Sequence, residues 1–88
     1  MQHRVLIMDY KYVLVESSYS FSNQKRTFYG IAIIDSKDCI TILDNIIDIS
    51  DNKDSLRMFV EECNKNRISM EHFIDVVEDY VQLHSIIL

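Results

Sequence analysis

The stretch Ser69–Leu83, SMEHFIDVVEDYVQL, decides how this chain is read. At about 100° per residue, Met70, Phe73, Ile74, Val76, Val77, Tyr80, Val81, Leu83 and the following His84 gather on one side. Glu71, His72, Asp75, Glu78, Asp79 and Gln82 gather on the other. The two sets barely mix, which predicts an amphipathic helix. Ser69 suits the N-cap, where a hydroxyl can accept from a free N–H of the first turn, and Glu71 places negative charge where the helix dipole favours it. The apolar arc covers about half the circumference, wider than the roughly 100° that one supporting surface needs. The helix is therefore expected to touch two neighbours, a sheet and either a second helix or a partner subunit.

Upstream, Leu56, Phe59, Val60 and Cys63 keep the i, i+3, i+4, i+7 spacing of a narrower, one-sided helix over Asn52–Asn66, with Asp51 as its expected cap and Asp54 in its first turn. Asn66 and Arg67 leave room only for a tight link, hence antiparallel helices or a corner. Before the helices the periodicity changes to two. Val5–Glu16 predicts a first strand, starting as late as Met8, with Leu6, Met8, Tyr10, Tyr12 and Leu14 on one face. Ser17–Lys25, SSYSFSNQK, is either a long loop or a hairpin whose arms overrun the sheet. Arg26–Asp35 is a second strand, its mid-strand Gly30 predicting a bulge or close packing contact. Ser36–Asp38 turns the chain into a third strand, Cys39–Ile49, interrupted at Asp44 and Asn45. The expected fold is α+β: a three-stranded antiparallel meander followed by two amphipathic helices packed on one face, one domain over residues 1–88.

Composition narrows the classes. The chain has 88 residues, 48% of them hydrophobic, enough for one modest core. A net charge of −5, with basic residues scattered apart from Lys25 and Arg26, argues against direct nucleic-acid binding, which needs clustered cations. No apolar run approaches the ~18 residues of a membrane span, and MQHRVLIMDYKY lacks the form of a signal peptide, so a cytoplasmic location is expected. Cys39 and Cys63 form no CxxC and are expected to be reduced core thiols.

At Tyr29-Gly30-Ile31, Glu62-Cys63-Asn64, Ile68-Ser69, His72 and Asp75-Val76-Val77-Glu78-Asp79 the chain resembles a small domain family of unknown function found in clostridia and related Firmicutes. The resemblance runs from about Tyr10 to Leu83 and leaves out MQHRVLIMD and the apolar tail. It implies three strands followed by two helices and a cytoplasmic protein of bacterial or phage source. It carries no catalytic assignment.

Nothing in the sequence orders a nucleophile, a phosphate loop or a zinc set. No catalytic residue, cofactor or metal is assigned, and a non-enzymatic protein is expected. Glu71, Asp75, Glu78 and Asp79, with His72 beside them, form an acidic helix face. Its plain reading is solvation; its functional readings are a contact with a basic partner or a divalent cation, and open helix faces rarely supply the convergence a cation needs. Two helices cover one side of a three-stranded sheet, so the other side must be polar or paired. Tyr10, Tyr12, Tyr19, Phe21, Phe28 and Tyr29 all come from the first two strands, and both faces of strands one and three carry apolar residues. Such a sheet places rings on its uncovered face unless the core absorbs them. Ile86, Ile87 and Leu88 add an apolar tail that a soluble monomer avoids. These features point to a protein-interaction or regulatory module, a homodimer or the binder of another protein, with Tyr10, Tyr12 and the tail as contact residues. The alternatives are an acidic inhibitor that imitates nucleic acid, through Glu71, Asp75, Glu78 and Asp79, and a small-ligand sponge with a pocket under Gly30.

Overall fold

A computed structural model of the chain describes residues 9–84. Strands β1 (Tyr10–Phe21), β2 (Gln24–Asp35) and β3 (Ile42–Ser50) form one antiparallel sheet in the order β1-β2-β3. Helices α1 (Lys53–Lys65) and α2 (Met70–His84) follow. The meander and its two helices are thus as expected. Asp9 lies outside the ladder, so β1 begins at Tyr10, and the part of the expected first strand before Asp9 lies outside the described residues.

Between strands one and two the arms overrun the sheet. Their pairing continues to Phe21 opposite Gln24, closed by Ser22 and Asn23 alone. Both have positive φ, 52° and 66°, which a two-residue type I′ hairpin requires; without a glycine, Asn23 supplies the residue that best tolerates it. β3 pairs with β2 only from Ile34 to Tyr29, so the arms beyond Glu16 and Phe28 project as a two-stranded ribbon.

The second turn is longer than Ser36–Asp38. Asp38 folds it, accepting from the Ile40 and Thr41 N–H groups at 2.9 Å each and from the Thr41 hydroxyl. Those bonds hold its carboxyl down to about pKa 2. β3 consequently starts at Ile42 rather than Cys39, and Cys39 sits exposed in the turn with φ 59°, not in the core.

The expected interruption of β3 is real but lies on either side of Asp44 and Asn45. Leu43 is the extra residue between Asp44 and Ile42, which face Ile33 and Ile34. The larger irregularity falls where Tyr29 and Ile31 face Ser50 and Ile46, with Asp48 at φ 57°. Gly30 lies opposite it. A Cβ there would overlap the Ile46 carbonyl oxygen and stand 2.7 Å from the Ile47 Cα, so the bulged backbone occupies the space any side chain would need.

Between sheet and helices the core joins Tyr12, Ile31 and Ile33 to Leu56, Val60, Cys63, Phe73, Val77 and Tyr80. α2 meets both neighbours its wide arc demanded. Phe73 stacks on Tyr12 of the sheet at 4.8 Å, and Tyr80 packs on Phe59 of α1 at 4.5 Å and shares a 2.7 Å bond with Ser55. The cap of α1 differs by a residue from expectation, whereas Ser69 stands directly before α2 as expected. Asn52, not Asp51, caps α1, its Oδ1 accepting from the Ser55 N–H at 3.0 Å. The Ser69 hydroxyl meets His72 Nδ1 at 2.8 Å rather than a backbone N–H, and the Ser69 carbonyl accepts the His72 N–H. His84 closes the last turn of α2, stacked on Tyr80, with Nδ1 2.9 Å from the Tyr80 carbonyl.

Candidate interaction surface

Strand alternation sorts the side chains of β1 and β2 into two sheet faces. On the helix side lie Tyr10, Tyr12 and Leu14 with Tyr29, Ile31 and Ile33. Tyr10 and Tyr12 therefore do not reach the uncovered face. Tyr12 is only 2% exposed and donates its hydroxyl to the Ile68 carbonyl at 2.5 Å; half-buried Tyr10 donates to the same oxygen at 3.2 Å. Burial, with the Tyr10 hydroxyl alongside, pushes the Tyr12 pKa up. These tyrosines anchor the α1–α2 corner to β1.

The opposite face carries Val13, Val15, Tyr19 and Phe21 from β1, and Arg26, Phe28, Ala32 and Ile34 from β2. Among the described residues no helix or strand covers it. Ala32 and Ile34 at its centre are buried, Val13, Val15 and Phe28 half-buried, and Tyr19 and Phe21 exposed, Phe21 at 78%. The bulge brings Ile47, 53% exposed, past Gly30 on this side. On the ribbon, the Arg26 guanidinium stands 5.7 Å above the Phe28 ring, and Tyr19 leans on Phe28 while donating its hydroxyl to Asp48 at 2.7 Å. That bond raises the Tyr19 pKa. The ribbon is held in shape at its root, and its end presents bare aromatic surface.

Of the acidic residues, Glu71, Asp75, Glu78 and Asp79 all lie exposed on α2. The ion pairs among the described residues belong to α1, where Arg57 meets Asp54 and Glu61. No three His, Cys, Asp or Glu side chains among the described residues converge as a metal site would require. The space under Gly30, suggested above as a ligand pocket, is filled by β3. A cleft of about 690 Å³ opens instead beside the start of β1, between Lys11, Ser36, Asn64 and Arg67. Its Asn64 amide is already committed, accepting from the Tyr12 N–H and donating to the Tyr12 carbonyl at 2.8 Å each. Sequence reading missed this role of Asn64, a contact across 52 residues that no local pattern reveals. Ile86, Ile87 and Leu88 lie outside the described residues.

The fold and surface define a small α+β domain with one sheet face packed by helices and the other free of helices among the described residues. The chain belongs to the family of unknown function DUF6514, whose pattern it matches over residues 1–83. The match includes the first nine residues, which the resemblance above had left outside. No curated protein and no solved structure matches the chain.

Proposed function

We propose that this protein is a small non-enzymatic interaction module that associates with a second copy of itself through its ribbon and the β1 side of the sheet face that no described helix covers. The supporting observation is the contrast between the two sides of one sheet. The helix side consumes its apolar residues in the core, while the other leaves Phe21, Tyr19 and Ile47 exposed. Such clustering of apolar surface is a mark of contact sites. The family resemblance adds the expectation of a bacterial or phage protein working in the cytoplasm.

Light scattering on the full chain tests the reading. The wild type should run as a dimer, and Phe21→Ser should lower its mass while circular dichroism stays unchanged, because this side chain lies outside the core. A monomeric wild type would refute self-association. The second reading, an acidic inhibitor imitating nucleic acid, draws on Glu71, Asp75, Glu78 and Asp79, exposed along one helix without a described cation at ion-pair distance. Under it, E71K, D75K and E78K together would abolish capture of a basic partner and leave the dimer intact.

A further inference from the structure

We infer that two copies join edge to edge, β1 against β1 in antiparallel register about a two-fold axis at Ser17, making one six-stranded sheet. This rests on the self-association proposed above and specifies the contact. β1 is an outer strand. The Asn64 amide bonds both the N–H and the C=O of Tyr12, as a neighbouring strand would, so Tyr12 presents its backbone outward. By alternation Leu14, Glu16, Ser18 and Ser20 do the same. No described residue bonds those outward groups.

The open edge runs between two stops, Asn64 on Tyr12 and the turn that begins at Ser22. Its residues, Val13 to Phe21, have their midpoint at Ser17. A two-fold axis there uses the whole edge. It makes the hydrogen-bonded pairs Leu14 with Ser20 and Glu16 with Ser18, each occurring twice, for about eight main-chain bonds. On the helix-free face it sets Phe21 of one copy beside Val13 of the other, and Tyr19 beside Val15. Aromatic and β-branched residues directly opposite are favourable cross-strand pairs.

Sliding the register while keeping the hydrogen-bonding phase loses this. One step puts two Glu16 carboxylates opposite each other, a destabilising like-charge pair. The step in the other direction pairs Ser18 with itself and leaves Val13 without an aromatic. The ribbon also has room for a partner's helices, since its helix side carries only Ser18, Ser20, Lys25 and Thr27 beyond Glu16. Of the usual guards against pairing the edge keeps a single charge, Glu16, which this register sets opposite Ser18: from Val13 to Phe21 there is no proline, no lysine and no bulge.

Cysteine cross-linking tests the register. In a Cys39→Ser background, which removes the exposed native thiol, Glu16→Cys, Ser17→Cys and Ser18→Cys are each oxidised mildly. Residues facing each other without mutual hydrogen bonds lie ~4.5 Å apart, within reach of a disulfide. Ser17→Cys should therefore become mostly a covalent dimer, and its two neighbours should not. Separately, Ser18→Pro removes an outward N–H without touching the β1–β2 ladder and should weaken dimerisation about tenfold. A dimer that links at position 16 or 18, or at none, overturns this register while leaving self-association standing. A chain that is monomeric by light scattering overturns both.

Discussion

Gly30 shows how much one missing carbon can decide. The atoms a Cβ would strike belong to the backbone of Ile46 and Ile47, which cannot turn aside as a side chain end can. Gly30→Ala should therefore force the β3 bulge outward and lower stability by about 1–3 kcal/mol, the range of overpacked interiors. Denaturant midpoints would measure it, and an unchanged midpoint would mean the bulge moves freely. This residue was legible in the sequence, because a lone glycine inside a strand pattern has few explanations. Asn64 was not. Its neighbours gave an amphipathic helix whose polar positions look solvated, and only the folded chain brings its amide to Tyr12. Tyr10 and Tyr12 were legible as strand residues, but alternation does not say which face the helices cover.

Among the elements, the helices were read nearly to their ends, since a 3.6-residue period is a local property that packing reinforces. The ribbon was ambiguous because nothing in SSYSFSNQK announces a turn. Its Ser-Tyr-Ser-Phe alternation, however, puts rings on one side and hydroxyls on the other, as the β1–β2 pairing uses them. The turn itself tolerates two positive φ values at Ser22 and Asn23, each an uncommon conformation for a side-chain-bearing residue. Replacing the pair by Asn-Gly should suit the same geometry better and raise stability by about 1 kcal/mol. Thermal unfolding would show it as a higher midpoint. A lower one would mean the ribbon needs Ser22 itself.

At the scale of the molecule, stability should fall on the alkaline side. Burial pushes the Cys63 thiol up to about 11 from its ordinary value of 9.0, and burial also raises Tyr12. Between those pH values the folded chain holds a proton that the unfolded chain has released. The stabilisation is thus present below pH ~9 and is lost as pH rises through the folded value. Thermal midpoints measured from pH 8 to 11 should decline, and Cys63→Ala should flatten part of the decline; a flat wild-type profile would contradict this account. The sequence placed Cys63 inside through its helix periodicity. It misplaced Cys39, because a strand reading carried three positions too far into a turn built by Asp38.

The tyrosine contact with Ile68 sets an order of events during folding. The β1–β2 hairpin closes over a two-residue turn, an event of about 1–10 μs for hairpins in general. Tyr12 must find Ile68 across 56 residues, and its neighbour Tyr10 across 58. Loop closure of that length has to be met before any of its bonds repay it. The hairpin is thus the natural start and the helical corner the natural finish. Until that corner docks, Asn64 is not yet on Tyr12 and the β1 edge is open at its far end as well. Newly made chains would therefore pass through a short interval in which strands can pair out of register, and the speed with which the two tyrosines find one carbonyl limits how long it lasts.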